Sequence, residues 1–267
     1  MASLGAPQIT LKEVAATRRR SVWLCIAFAA VPALLVGIVV SVAVSAILGV
    51  VALLLVAAAG AYWLWRMAPA MARARIGAVP ADEFDQPRLF TMADGLCATF
   101  GLHAPTLYVL DDDVPNACAL GRDARRSELV VTSGLLRLLD PIQLEGVLAH
   151  ELSHVKRGDN GVSSLGIALA GLIGGQGMLR RCVGRNREYR ADLVGASAVR
   201  YPRGLLSALE VMTAAPPPQP GSFFAPGGQF EVTRWVWIDP EVGHRDDVIR
   251  PGDLDATSVR AAALSEW

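Results

Sequence analysis

The chain has 267 residues, of which 52% are hydrophobic and 19% are charged. This apolar share is too high for an ordinary soluble enzyme, so we expect a membrane segment attached to a folded domain. The 25 basic and 25 acidic residues give a formal net charge of zero, and we therefore expect no nucleic-acid partner. The cysteines are widely spaced, which predicts neither a disulfide scaffold nor a cysteine-based zinc site.

The apolar residues concentrate near the N-terminus, where residues 21–65 include no charged residue. One membrane crossing needs about 20 apolar residues, so this stretch can form two helices joined by a turn near residues 39–45. Arginines flank it on both sides, and the positive-inside rule then places both ends in the cytoplasm. They are Arg18, Arg19, Arg20, Arg66, Arg73 and Arg75. We predict a cytoplasmic segment over 1–20 and a transmembrane hairpin over 21–66, with the lipid bilayer as partner.

The chain after the hairpin has the composition of a folded domain. Apolar side chains at helical spacing predict a helix that Asp85 caps and Gly101 ends. Residues 105–121 and 127–134 are rich in β-branched side chains and turn formers, and they predict short strands. The three acids at 111–113 are typical of a solvated loop, and we assign them no chemistry. The expected fold class is mostly α with a small β-sheet, an α+β domain after a transmembrane helical hairpin.

Residues 138–159 contain the sequence HELSH within a segment that has helix signals at both ends. Asp140 can cap the helix and Pro141 suits its first position. Gln143 completes a capping box, and Gly158 can end the helix. Apolar residues recur at helical spacing between these signals, so we predict that HELSH lies on an amphipathic helix.

The two histidines of this motif have the spacing of metal ligands. His150 and His154 are four residues apart, so they project from one helix face and can share one tetrahedral zinc ion. Glu151 is rotated by about 100° from the first histidine, so its carboxylate should miss the metal and act on a water as general base. The alternative is an amphipathic helix with two exposed histidines that bind no metal.

A catalytic zinc needs a third protein ligand. The metzincin pattern does not supply one, because Arg157 and Asn160 occupy the positions where it requires Gly and His. Further along, Glu188 and Asp192 lie four residues apart on one face of a second expected helix. In gluzincins such a glutamate is the third ligand, and the aspartate one turn later hydrogen-bonds a ligating histidine. A surface helix with alternating Arg and Glu is the alternative, but small apolar neighbours argue against it.

Taken together, these motifs resemble a known family. The chain is similar to the HtpX-type membrane zinc endopeptidases and to their relatives, the CAAX prenyl endopeptidases. The resemblance covers roughly residues 85–213 and the preceding hairpin. It rests on four stretches: PNACALG, VVTSGLLRLLD, LEGVLAHELSHVKRGD and REYRADLVGA. Their combination is specific, and it implies a gluzincin-like zinc metalloprotease domain C-terminal to the hairpin.

The resemblance assigns roles to five residues. It implies that His150, His154 and Glu188 bind one zinc ion per chain. It also implies that Glu151 is the catalytic base and that Asp192 supports the metal site. These roles agree with the chemistry expected from the spacing of the residues.

The resemblance also implies a substrate site. The family's N-A-F-A-type strand corresponds to Asn116, Ala117 and Cys118, an unpaired edge strand that would bind the substrate backbone. Two departures from the family pattern stand out. Gly184 replaces the serine that often begins the turn before the third ligand. The family's T-H-P histidine has no clean match, and His244 is the candidate for stabilising the oxyanion.

A second apolar segment, residues 161–179, separates the two metal motifs. It must start and finish on one side of the membrane, because His154 and Glu188 are expected to bind the same ion. Two crossings would need about 40 residues, which the segment lacks. Gly171 and Gly175 have the spacing of closely packed helices. We expect a helix at the membrane face or against the hairpin, and a buried helix of the soluble domain is an equal alternative.

The last part of the chain contains fewer signals. Residues 214–232 form a Pro- and Gly-rich loop in which Phe223 and Phe224 could touch membrane or substrate. The zinc metalloprotease domain is expected over 67–213 and, after this loop, over 233–267. A short apolar strand and a terminal helix are expected in that final part.

These features together predict a membrane-anchored zinc endopeptidase that hydrolyses peptide bonds of membrane-associated or misfolded proteins, as in protein quality control. The expected location is a bacterial-type cell membrane, with the catalytic domain in the cytoplasm. Two alternatives remain, a catalytically inactive zinc-binding membrane scaffold and a membrane adaptor with an accidental HELSH. Glu151 argues against the first, and Glu188 with Asp192 argues against the second.

Overall fold

The structure is a computed structural model that describes residues 9–170, 184, 186–243 and 253–266. It is mostly helical with one small sheet, so the predicted fold class is confirmed. The helices are α1 Leu11–Ala43, α2 Ala46–Ile76, α3 Pro87–Phe100, α4 Ser133–Leu138, α5 Pro141–Arg157, α6 Asp159–Leu169, α7 Arg187–Ala198, α8 Arg203–Thr213, α9 Phe230–Thr233 and α10 Thr257–Ser265. The strands are β1 Val79–Pro80, β2 Thr106–Leu110, β3 Ala117–Asp123 and β4 Arg126–Thr132.

Helices α1 and α2 form the predicted hairpin. They have 33 and 31 residues, and each contains an apolar segment of 18 residues. Only 22% of this segment in α1 and 11% in α2 is buried inside the protein, which is too little for core helices of a soluble domain. The turn lies at residues 44–45, where the Ser45 hydroxyl accepts a hydrogen bond from the Leu48 amide. The helices are therefore long and apolar enough to cross a bilayer twice.

The two helices approach closely near this turn. A Cβ atom on Gly49 would lie 1.7 Å from the Ser41 hydroxyl oxygen and 2.7 Å from the Gly37 carbonyl oxygen. Only glycine fits at such a contact, which is typical of helix pairs that pack through small residues in membranes.

The sheet has the order β1-β2-β4-β3. Strand β2 is parallel to β4, and the β1-β2 and β3-β4 pairs are antiparallel. Successive residues of β3 point to opposite faces. Ala117 and Ala119 join the core formed with α3 and α5, whereas Cys118 and Leu120 join a second core formed with α2 and Trp237. Strand β3, at one edge of the sheet, thus lies between helix α5 and the base of the hairpin.

Helix α6 lies against the base of the hairpin. All its residues are buried, and Leu165 and Leu169 pack against Leu64 and Ala68 of α2. For residues 161–170 this agrees with the expectation of a helix against the hairpin. The rest of the predicted segment, with its paired glycines, lies outside the described residues.

Two predictions about loops near the sheet are wrong. Helix α3 begins at Pro87 without a side-chain cap, so Asp85 does not cap it. The fixed φ of proline suits the first helical position, so Gln86 occupies the cap position and the helix starts one residue later than predicted. The acidic run is not fully solvated, because Asp112 is buried and accepts hydrogen bonds from the Ser222 hydroxyl and the Phe223 amide. This carboxylate thereby holds the Pro- and Gly-rich loop against the domain.

One of the two phenylalanines of that loop is also placed differently from expectation. Phe224 is buried, with its ring centroid 4.9 Å from those of Phe230 and Trp237, so it is a core residue and not a surface contact. The expected strand after the loop is instead a single 3₁₀ turn, Arg234–Val236, followed by extended backbone. The predicted terminal helix is present as α10.

Candidate metal centre and active site

Helix α5 has the predicted signals at both ends. Asp140 and Gln143 form a reciprocal capping box, Pro141 occupies the first turn, and Gly158 ends the helix with φ 78°. These local contacts fix where the helix begins, and therefore which side chains of HELSH point inward. His150 and His154 are both buried.

The three predicted ligands lie together. The Nε2 atoms of His150 and His154 are 3.2 Å apart. Glu188 Oε2 lies 3.0 Å from the first of these nitrogens, and Glu188 Oε1 lies 3.5 Å from the second. Tetrahedral zinc with ligand distances near 2.0–2.1 Å separates its ligand atoms by about 3.3 Å. The two histidine nitrogens have this separation, and each has an oxygen of the Glu188 carboxylate at a similar distance, so the three side chains could share one metal ion.

Two carboxylates orient the histidine rings. Asp192 Oδ1 lies 2.8 Å from His150 Nδ1, and Asp159 Oδ2 lies 3.0 Å from His154 Nδ1. When a metal binds at Nε2, the Nδ1–H of each ring can donate a hydrogen bond to its carboxylate, which directs the Nε2 lone pair at the shared centre. Asp192 was predicted in this supporting position. Asp159 was missed, although it follows the second histidine by only five residues.

Arg260 holds Asp192 from the other side. Its Nε donates to Asp192 Oδ2 at 2.6 Å and its Nη2 donates to Asp192 Oδ1 at 2.8 Å, a bidentate pair that is fully buried. Burial raises the pKa of the Asp192 carboxyl, but Arg260 outweighs burial and lowers it below its ordinary value. The sequence analysis missed this arginine. The sequence feature that could have indicated it is a single charged residue within the otherwise uncharged helix α10.

The electrostatics of the cluster favour a cation. Burial raises the pKa of the Glu188 carboxyl, but His154 and Arg187 outweigh burial and hold it well below its usual range. Burial lowers the pKa of the His150 imidazole, but hydrogen bonds to Asp192 and Glu188 raise it to about 9. The two ionised carboxylates thus favour positive charge where the histidines meet, as a divalent cation requires.

Glu151 lies in the same buried region. It is 1% exposed, and neither carboxylate oxygen forms a hydrogen bond within the described residues. Burial raises the pKa of its carboxyl. A buried carboxylate that makes no such contact needs a polar partner, which a water at the metal would supply.

The predicted substrate strand is already occupied. Ile238 donates its amide to the Ala117 carbonyl oxygen at 3.0 Å. The Asn116 side chain accepts from the Asp239 amide at 3.1 Å and donates to the Asp239 carbonyl oxygen at 3.0 Å. The prediction of an unpaired edge is therefore wrong, because residues 238–239 fold back along β3. Cys118 is buried on the opposite side of the strand from Ala117.

One predicted site residue has no structural account. His244, the candidate for oxyanion stabilisation, lies outside the described residues. Its role stays a prediction.

The chain matches one family model and several curated relatives. The family model described as Peptidase family M48 matches residues 83–179. A protein named Protease HtpX homolog from Syntrophobacter fumaroxidans (strain DSM 10017 / MPOB) is 33% identical over 203 residues, which cover 61% of this chain and 71% of that protein. The chain belongs to peptidase family M48. The M48 match includes α5 and ends before Glu188, so it does not cover the third predicted ligand.

Other M48 relatives match shorter parts of the chain. The Protease HtpX homolog of Tropheryma whipplei (strain Twist) is 35% identical over 170 residues, 50% of this chain and 58% of that protein. The Protease HtpX homolog of Acidiphilium cryptum (strain JF-5) is 42% identical over 118 residues, which cover 44% of this chain and 41% of that protein. The chain thus spans little more than half the length of the Tropheryma relative. A comparison with solved structures finds no significant match.

Proposed function

We propose that the protein is a membrane-anchored zinc endopeptidase that hydrolyses peptide bonds of membrane-associated or misfolded polypeptides. One observation carries the proposal: two buried histidines and Glu188 place their donor atoms within 4.8 Å of one another, and a carboxylate contacts the outer nitrogen of each histidine ring. Glu151 follows the first histidine on the same helix and is buried with them. Two imidazole nitrogens and one carboxylate oxygen are a donor set of catalytic zinc sites. Zinc bound there would polarise a scissile carbonyl and make water acidic enough to lose a proton near neutral pH.

Glu151 supplies the proton transfer. Its carboxylate accepts the proton of the attacking water and then passes it to the leaving amine, so that the C–N bond breaks as the amine is protonated. Asp192 and Asp159 keep the two imidazoles fixed while this occurs. Because each aspartate accepts a hydrogen bond from the Nδ1–H of its histidine, neither histidine needs to reorient during the reaction.

Substrate binding at this site requires a local rearrangement. Both the amide and the carbonyl of Ala117 are engaged on the outer side of β3, the amide by the Asn116 side chain and the carbonyl by Ile238. A polypeptide that adds to this edge as a strand would replace residues 238–239. We therefore infer that Asn116, Ala117 and Cys118 belong to a substrate strand that the chain itself covers in the described conformation.

Matched carboxylate variants test the proposed function. Glu151→Gln keeps size and helix but removes the base, so cleavage of an unstructured protein should fall by about 10²- to 10⁴-fold with zinc retained. Glu188→Gln replaces an anionic ligand, so zinc itself should be lost. Glu145→Gln on the same helix α5 is the control and should change neither the zinc content nor the rate of cleavage. An active Glu151→Gln, or a parent protein without stoichiometric zinc, would contradict the proposal.

A further inference from the structure

A cavity of about 680 Å³ lies where the catalytic domain meets the base of the hairpin. Its walls come from the first turns of α1, from α2, from the turn between β3 and β4, and from the C-terminal end of α5. Five basic side chains line it: Arg18, Arg122, Arg125, Arg126 and Lys156. Asp123 is the one acidic residue among its described lining residues. The cavity is therefore strongly basic.

Part of this positive charge has no ion-pair partner among the residues that the structure describes. Asp123 is engaged within its own turn, where it accepts from the amides of Arg125 and Arg126. Its other oxygen lies 3.7 Å from Arg126 Nη1. Within the described residues, Arg18 and the guanidinium of Arg125 form no ion pair, and both side chains are exposed. The cavity can thus attract an anion without breaking an existing contact.

The cavity lies at the level of the membrane surface. The hydrocarbon core of a bilayer corresponds to about 20 helical residues. Counted from the turn at 44–45, that length reaches Trp23 on α1 and Trp65 on α2, and tryptophans are enriched at this interface. Ser21 and Val22 line the cavity, as does Trp65. Its opening is thus at the depth of lipid headgroups.

One wall is apolar and one is basic. Val22 and Trp65 form part of the apolar wall. The Arg122 guanidinium lies over the Trp65 ring, 5.4 Å from its centroid. This cation–π contact holds a positive group at the edge of the apolar wall. An amphipathic anion fits such a site, with its phosphate among the arginines and its acyl chains along the hairpin.

The same turn also lines a second basic cavity. This cavity of about 370 Å³ lies on the α2 side and includes Arg122, Arg125 and Arg126 together with Arg66. Arg73 contributes less free charge there because it pairs with Glu128 at 2.5 Å. The β3-β4 turn thus presents arginines to the membrane surface on both of its sides.

We propose that the cavity between α1 and the β3-β4 turn binds the headgroup of an anionic phospholipid from the adjacent leaflet. Its residues lie outside the metal centre, and the proposal does not depend on peptide hydrolysis. It does depend on the hairpin crossing a bilayer. Lipid bound here would also touch Val155 and Gly158, at the end of the helix that carries both metal-binding histidines.

Lipid binding to the full chain in detergent micelles tests this proposal. Native mass spectrometry would count phosphatidylglycerol and phosphatidylcholine molecules retained per protein. The test variant is Arg18→Gln with Arg125→Gln. Both side chains are exposed and form no ion pair within the described part of the chain, so their loss should not disturb the fold. The control is Arg19→Gln with Arg203→Gln, which removes the same charge away from the cavity. We expect preferential retention of phosphatidylglycerol by the parent protein, and about 30-fold weaker binding in the test variant alone.

Three outcomes would overturn the proposal. Equal retention of the two lipids would mean that headgroup charge is not recognised. Equal loss in the test and control variants would mean general electrostatic attraction to the membrane. Displacement of phosphatidylglycerol by millimolar inorganic phosphate would mean that the site takes soluble phosphate and gains nothing from the acyl chains. None of these lipid-binding measurements involves peptide cleavage, so a failure of this proposal can be distinguished from a failure of the proposed protease activity.

Discussion

Replacement of Arg260 by methionine should weaken both the fold and the metal centre. This guanidinium donates two hydrogen bonds to Asp192 and a third to the Ile238 carbonyl oxygen at 2.5 Å. It therefore joins the carboxylate behind His150 to the segment that covers β3. Arg260→Met removes all three contacts while keeping a long apolar side chain in the space.

The size of the effect follows from burial. The Asp192 side chain is 2% exposed and that of Arg260 is fully buried, so the substitution leaves a buried carboxylate without its counter-charge. Breaking a buried pair from one side costs about 3–5 kcal/mol, a large part of the total stability of a domain. Loss of a group that orients a metal ligand should also lower zinc affinity by about 10- to 100-fold.

A double-mutant cycle measures this coupling. Urea unfolding of the metal-free protein in micelles, followed by tryptophan fluorescence, gives the free energy of unfolding of each variant. Asp192→Asn removes the charge that Arg260 balances, so adding Arg260→Met should cost about 1–3 kcal/mol less than in the parent. Arg260→Lys keeps the charge but cannot form the bidentate pair, so its free energy of unfolding should lie between those of the parent and Arg260→Met. If the two substitutions change the free energy of unfolding additively, Asp192 and Arg260 are not coupled and the prediction is refuted.

Three further predictions concern other parts of the molecule. Asp159→Asn weakens the hydrogen bond that orients one histidine, so zinc affinity measured by chelator competition should fall about 10- to 100-fold, and an unchanged affinity would contradict its role. Gly49→Ala should destabilise the hairpin by about 1–3 kcal/mol in thermal unfolding because its Cβ meets neighbouring atoms, whereas Gly95→Ala, with open space around it, should not. Single cysteines at Arg75 and Ser265 should both resist an impermeant thiol reagent added outside cells, and labelling of either would overturn the cytoplasmic orientation.

The sequence could predict the active-site helix because its determinants are local. The capping box, the first-turn proline and the terminal glycine all lie within α5, and the four-residue histidine spacing fixes their shared face. The Glu188 and Asp192 pair was predicted for the same reason, since both lie on one face of α7. The hairpin followed from length, apolarity and flanking charge, which also act locally.

The missed features are contacts between distant segments. Arg260 is 68 residues from Asp192, and no spacing rule joins the two. Ile238 covers β3 across an even longer separation, so the predicted free edge could be corrected only in three dimensions. Phe224 looked suited to a surface contact because it lies in a Pro- and Gly-rich loop, but the hydrogen bonds to Asp112 fold that loop into the core.

Zinc-edge X-ray absorption of the purified full chain tests the central claim most directly. If His150, His154 and Glu188 hold the ion, the spectrum should show two imidazole nitrogens and light oxygen ligands at about 2.0–2.2 Å, without sulfur, at one zinc per chain. The Glu188→Gln protein should lose this signal, and Glu151→Gln should keep it. Zinc bound through sulfur, or an unchanged zinc spectrum and content in Glu188→Gln, would contradict the metal centre described for this protein.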